Sequence, residues 1–219
     1  MKFSIITAYY KNEELTKEFL DNLKGRLPVN REVIVVNAGS EPIYHELITT
    51  RIDLSENKGF SNSMNKGIQQ ATGDILCIIG NDVFPESPVW LEELGVSMLN
   101  TNATLICPDN TNPGLKAYKH VILNEYGDRY TEVKMFPAIC YVIRREDFLR
   151  IGYFDERFLV GTYEDDDFCR RLKLMNGKIM VDKFVVVKHL LSKTMNLFNV
   201  GEVMSKNMDL YLKKWGERK

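Results

Sequence analysis

The sequence predicts an α/β protein built on an open, doubly wound, mostly parallel sheet flanked by helices. Three observations carry this. Runs rich in Ile and Val at residues 3–9, 32–37 and 74–79 are apolar at successive positions, as strands buried on both faces require. Segments of helical period lie between such runs. Each run ends directly in polar or glycine residues, as strands do when they deliver loops to one edge of a sheet.

The elements follow in order. After the strand at 3–9, Leu15, Phe19, Leu20 and Leu23 share one helical face, with Asn12 as cap and Gly25 as stop. Residues 32–37 complete a βαβ unit. Residues 51–54 form a weak third strand, 61–71 a helix and 74–79 a strong strand. A helix at 90–100 and a strand at 104–107 close this half. Beyond residue 108 the alternation breaks down. Residues 109–130 are polar, with turn residues at their start, and read as a loop or irregular hairpin. A strand is expected at 134–144, a short helix at 145–151, a helix at 164–176 stopped by Gly177, and strands at 178–181 and 184–188. Residues 195–219 read as a partly helical tail appended to one domain at 1–194, whose halves meet near residue 108.

Size and charge narrow the function. A chain of 219 residues buries enough apolar surface to fold without disulfides or metal. Its 29 basic residues balance 30 acidic ones, which argues against nucleic-acid binding. The cysteines, Cys77, Cys107, Cys140 and Cys169, are far apart and mostly set among aliphatic residues. They are expected to be buried reduced thiols rather than a metal cluster. No apolar run spans a bilayer, and the first residues reach charge too early for a signal peptide, so a cytoplasmic protein is expected. GxGxxG after the first strand, GxxxxGK[ST] and GxSxG are all absent, which removes dinucleotide oxidoreductases, P-loop NTPases and α/β-hydrolases.

Ligands of open parallel sheets bind beyond the carboxyl ends of the strands. Four polar segments occupy such ends: residues 8–12, 37–40, 57–60 and 80–83. Asp82 follows a central strand, where it either holds a hard divalent cation or makes a turn. Glu164, Asp165, Asp166 and Asp167 open a helix. They serve as dipole and capping carboxylates, or their mutual repulsion raises one pKa toward that of a general base. His189 ends another apolar run and either completes a metal site or makes a structural hydrogen bond. Trp90 and Trp215 read as packing anchors, and Lys58 as a charge that is either solvated or in contact with a phosphate.

Taken together, these residues resemble a family 2 glycosyltransferase with the glycosyltransferase A fold. Residues 56–85, ENKGFSNSMNKGIQQATGDILCIIGNDVFP, resemble that family's N-x-G-F, N-x-G-I, A-x-G-D and N-D elements in order and spacing. GYFDERF at 152–158 leads into YEDDDFCRRL at 163–172, similar to G-x-F-D-E-x-F and E-D-x-D with R-L. His189, with Ser192 after it, is similar to the family's late histidine.

The resemblance implies an inverting transferase that moves a sugar from a nucleotide diphosphosugar to a hydroxyl of a glycan, glycolipid or glycoprotein. The half at 1–108 would bind the donor, and the half at 109–194, on a smaller sheet, the acceptor. Asp165 would be the base, with Glu164 orienting acceptor or sugar. Asp82, with His189, would hold Mn²⁺ or Mg²⁺ at the diphosphate, since Gly80 stands where relatives carry the first acid of a DxD element. Thr7, Tyr9, Asn37, Gly39, Ser40, Asn57, Gly59, Phe60, Asn65 and Asn81 would contact the donor, Asn37 standing where an Asp is usual. Asn37, Ala38 and Gly80 also fit a non-catalytic sugar-nucleotide or glycan-binding module. A nucleotidyltransferase lacks support, because its glycine-rich first loop is missing. The cationic end of the tail, Lys213, Lys214, Arg218 and Lys219 beside Trp215, suggests either peripheral membrane contact or a solvated helix end.

Overall fold

A computed structural model describes residues 1–111, 122–190 and 200–216. The first half runs β1 (Phe3–Tyr9), α1 (Glu13–Leu23), β2 (Arg31–Ala38), β3 (Thr50–Leu54), α2 (Phe60–Gln70), β4 (Ile75–Ile79), β5 (Val83–Pro85), α3 (Trp90–Thr101) and β6 (Leu105–Asn110). The second runs β7 (Ile122–Tyr126), β8 (Tyr130–Val133), β9 (Cys140–Arg144), α4 (Arg145–Ile151), α5 (Glu164–Leu174), β10 (Ile179–His189) and α6 (Val200–Trp215). Ser192, Arg218 and Lys219 lie outside the described residues.

Nine strands form one sheet in the order β3-β2-β1-β4-β9-β6-β10-β8-β7, and β5 adds to the end of β10. β3, β2, β1 and β4 are mutually parallel. β9 enters antiparallel between β4 and β6, and β10 then runs parallel to β6. The acceptor-side strands, expected as a smaller separate sheet, are hydrogen-bonded into this one as its distal wing.

Alternation along each strand divides the core between two faces. Ile5, Val35 and Cys77 pack with Phe19 and Trp90 under α1 and α3. Ile6, Ile34 and Ile78 pack with Met64, Phe148 and Phe168 under α2, α4 and α5. All four cysteines are free and buried.

Three expectations are corrected. The strand expected from residue 134 begins at Cys140, because Pro137 has no N–H for a ladder. The strands expected at 178–181 and 184–188 are one bulged strand, β10. The interruption at Asp182 is buried, and that carboxylate is paired with Arg129 at 2.8 Å and bonded by Ser97 at 2.6 Å. The tail is no appendage. Tyr211 of α6 packs with Phe158 and Tyr163, while Lys214 bonds Asp155 and Asp167, each at 2.7 Å. Lys214 is therefore committed inside the fold and is not a membrane-facing charge. No helix among the described residues is long and apolar enough to cross a membrane.

Candidate active site

The carboxyl ends of β1, β2 and β4 and the openings of α2 and α5 enclose a cleft of ≈ 350 Å³. Asp82, His189, Glu164 and Asp165 all line it.

Asp82 and His189 meet because of β5, a strand too short to be read from sequence. After β4 the chain turns at Gly80, and β5 pairs antiparallel with the end of β10, setting Val83 opposite His189. His189 Nε2 then lies 3.1 Å from Asp82 Oδ2, and the Leu190 amide donates to the Asp82 carbonyl at 2.9 Å. His189 Nδ1 is buried without a partner among the described residues. A side chain added at Gly80 would meet Asp82 Oδ1 at 2.9 Å, so an acid there would require the Asp82 carboxylate to turn aside. The described residues contain no group of three metal-ligating side chains. One carboxylate and one imidazole nevertheless face each other with donor atoms suited to a divalent cation whose other ligands come from phosphate and water.

The opposite wall is the start of α5, where the acidic run divides. Glu164 is 4% exposed, and its Oε2 has no partner among the described residues. Burial, then the neighbouring Asp165, holds its carboxyl well above the usual range. Asp165 Oδ1 accepts from the Asp166 amide at 2.9 Å. Burial and the charge of Asp166 push the Asp165 carboxyl up to about 6. Asp167 turns away and is fully buried. It accepts from Trp215 Nε1 at 2.7 Å and from Arg171 Nε at 2.9 Å, so it serves the fold.

The donor-side expectations sort by geometry. Tyr9, Asn57, Gly59, Phe60 and Asn81 line the cleft. Two of them also brace it. The Tyr9 hydroxyl donates to the Glu41 carbonyl at 2.9 Å, and Asn81 Nδ2 donates to Thr16 Oγ1 at 2.9 Å. Gly59 has φ +95°, and a Cβ there would lie 2.9 Å from the Val160 nitrogen, so only glycine lets these two loops touch.

Thr7, Asn37, Gly39, Ser40 and Asn65 lie outside the lining, and three of them have their side chains engaged within the fold. Thr7 is fully buried within β1. Asn37 Nδ2 donates to the Ser40 carbonyl at 2.8 Å and to Asp53 at 3.0 Å, while its Oδ1 accepts from the Ser40 amide at 2.8 Å. Its amide is thus committed to the 37–40 turn, which packs against Glu56 at Gly39. Asn65 clamps α2 to the 152–158 segment: its Nδ2 donates to the Phe154 carbonyl and to Glu156, each at 2.9 Å, and its Oδ1 accepts from the Phe154 amide at 3.0 Å. Sequence reasoning did not single out the wall formed by Pro137, Ala138 and Ile139, nor Val160 and Gly161. The position of Val160 and Gly161, just before the acidic run, was the available signal.

A model of the family described as "Glycosyl transferase family 2" matches residues 4–168. The chain belongs to glycosyl transferase family 2. This family 2 chain is 26% identical over 185 residues to the uncharacterized glycosyltransferase YwdF of Bacillus subtilis, covering 78% of this chain and 68% of that protein. Its fold is shared with a mannosyltransferase of Pyrobaculum calidifontis solved with GDP-Man and Mn²⁺. There the TM-score is 0.73 at 16% identity, covering 100% of this chain and 65% of the other. Staphylococcus aureus TarS, solved with UDP-GlcNAc, superposes with a TM-score of 0.71 at 20% identity, covering 98% of this chain and 66% of the TarS chain.

Proposed function

We propose that this chain transfers a sugar from a nucleotide diphosphosugar to an acceptor hydroxyl with inversion at the anomeric carbon. The observation that carries this reading is the shared cleft: Asp82 and Asp165 face one cavity from different elements, and burial pushes the Asp165 carboxyl up to about 6.

The donor enters over the ends of β1 and β4, against the loop that opens α2. Unlike the other helices at this edge, α2 has no acidic residue in its first turn, so its N-terminus is free to face phosphate. Asp82 and His189 would hold a divalent cation at the diphosphate, and the imidazole makes Mn²⁺ the better match than Mg²⁺. When bound, the cation neutralises charge growing on the leaving diphosphate. Asp165 accepts the acceptor hydroxyl's proton as that oxygen attacks from the opposite face. Glu164, buried and held toward its neutral form, can donate a hydrogen bond to a sugar or acceptor oxygen without adding a second negative charge.

UDP-GlcNAc and GDP-Man, the donors bound by the two structural relatives, are the first to test, each with and without Mn²⁺. A matching donor at a hundred times its Kd raises the melting temperature by about 5–10 °C. Asp82→Ala should lose the Mn²⁺-dependent part of that shift. A wild-type shift that is the same with Mn²⁺ as with EDTA would remove the metal assignment. Donor binding without transfer to any glycan acceptor would return the chain to a non-catalytic binding module.

A further inference from the structure

Residues 159–163 join the 152–158 segment to α5, and Val160 and Gly161 among them line the cleft beside Glu164 and Asp165. Their backbone is left-handed at three positions: Val160 at φ 61°, Gly161 at φ 89° and Tyr163 at φ 70°. Glycine adopts this conformation readily, but a β-branched valine does not. Such a residue persists there only where its surroundings over-determine it. One constraint is steric, since the Val160 nitrogen lies against Gly59 with no room for a side chain between them.

The other constraint comes from 48 residues further along the chain. Asn207, in the middle of α6, is 2% exposed. Its Oδ1 accepts from the Leu159 amide at 3.2 Å. Its Nδ2 faces the Leu159 carbonyl at 2.8 Å, the Thr162 carbonyl at 2.9 Å and Thr162 Oγ1 at 2.7 Å. One amide thus brackets the strained pair from both sides. α6 is in turn held by Tyr211 against Phe158 and Tyr163, and by Lys214 on Asp155 and Asp167.

We propose that Asn207 is a positioning residue for sugar transfer: by fixing the wall at Val160 and Gly161 it sets where the acceptor hydroxyl meets Asp165. The inference rests on the transfer reading above. It makes α6 part of the active-site machinery, although Asn207 acts only through the segment it bonds. Losing Asn207 should therefore weaken turnover and spare binding of the nucleotide on the other side of the cleft.

The test uses the full chain, UDP with Mn²⁺ as the binding probe, and the nucleotide sugar that gives turnover. Asn207→Ala should lower kcat by about tenfold to a hundredfold while UDP affinity stays within about twofold. Gly at position 160 removes the left-handed penalty, so the same substitution made alongside Val160→Gly should lower kcat by only about threefold. A kcat within about twofold of wild type, or an equal loss in both backgrounds, overturns the proposal. Should Asn207→Ala fail to fold, Thr162→Val deletes one bonding group and leaves α6 intact. A kcat loss of about threefold is then expected, and an unchanged kcat overturns the proposal. If the wild-type protein shows no turnover with any donor, the transfer reading itself has failed. Hydrogen exchange then decides the loop geometry: faster exchange confined to 159–163 in the variant supports it, and unchanged exchange removes it.

Discussion

Replacing Asp165 with Asn removes a proton acceptor while keeping the size and polarity of the side chain. In the structure this carboxyl is raised from its ordinary 3.8 to about 6, first by burial and then by Asp166. A base titrating there is about nine-tenths ionised at pH 7 and about one-tenth at pH 5, so transfer at limiting acceptor should fall about tenfold between them. Asp165→Asn should lower kcat by about 10²–10⁴-fold and flatten this acid limb, with UDP affinity retained. Asp166→Asn keeps the base but removes its nearest like charge, so the limb should move to lower pH. Stability gives an independent reading. A raised folded-state pKa means the folded chain holds the proton more tightly, so wild type loses stability as pH climbs from 3.8 through about 6. The Asn variant should therefore melt higher at pH 8, by an amount on the order of 1–3 kcal/mol, and match wild type near pH 3.5. Rates measured from pH 5 to 8, with melting followed across the same range and down to 3.5, check both. Full turnover in Asp165→Asn, or a flat wild-type profile, would refute the assignment.

Two other substitutions follow from the geometry. Gly59→Ala places a Cβ 2.9 Å from the Val160 nitrogen at φ +95°. It should cost about 1–3 kcal/mol in urea unfolding and weaken UDP binding, because the donor loop must move. Glu32 sits at the far end of the sheet. Burial pushes its carboxyl up, but hydrogen bonds from Ser4, Thr72 and Lys2 outweigh this and bring it down to about 2. Its contribution is present above the ordinary 4.5 and lost as pH falls toward 2, so Glu32→Gln should lose on the order of 2 kcal/mol at pH 7 and converge with wild type near pH 2.

Apolar runs were the most legible part of the chain. β1 and α4 begin and end where their patterns predict, because β1 is a run buried at almost every position and α4 buries a compact apolar face at Phe148 and Ile151. β5 escaped because three residues ending in proline carry no period, and its partner lies about a hundred positions away. In the site, carboxylates announced themselves: Asp82 at a strand end and Asp165 in an acidic run do line one cleft. Asparagines did not. Asn37 and Asn65 resemble donor contacts by position, yet their amides close a turn and clamp a helix. An amide offers the same groups to a ligand or to backbone, and only neighbours in space decide between them. Asn207 was silent for the same reason, and Lys214 read as a surface charge because Asp155 and Asp167 are distant in sequence.

The strand order has a consequence for how this protein is made. β4 must wait for β9, which is translated some sixty residues later, and β6 must wait for both β9 and β10. A nascent chain leaving the ribosome can pair β1, β2, β3 and β4 early, but it carries one side of β4 unsealed until β9 inserts. Asp82 meets His189 later still, when β10 docks. During synthesis the nucleotide-side scaffold thus precedes the cation pair, and the unsealed side of β4 is where chaperones or premature association should act on a stalled chain.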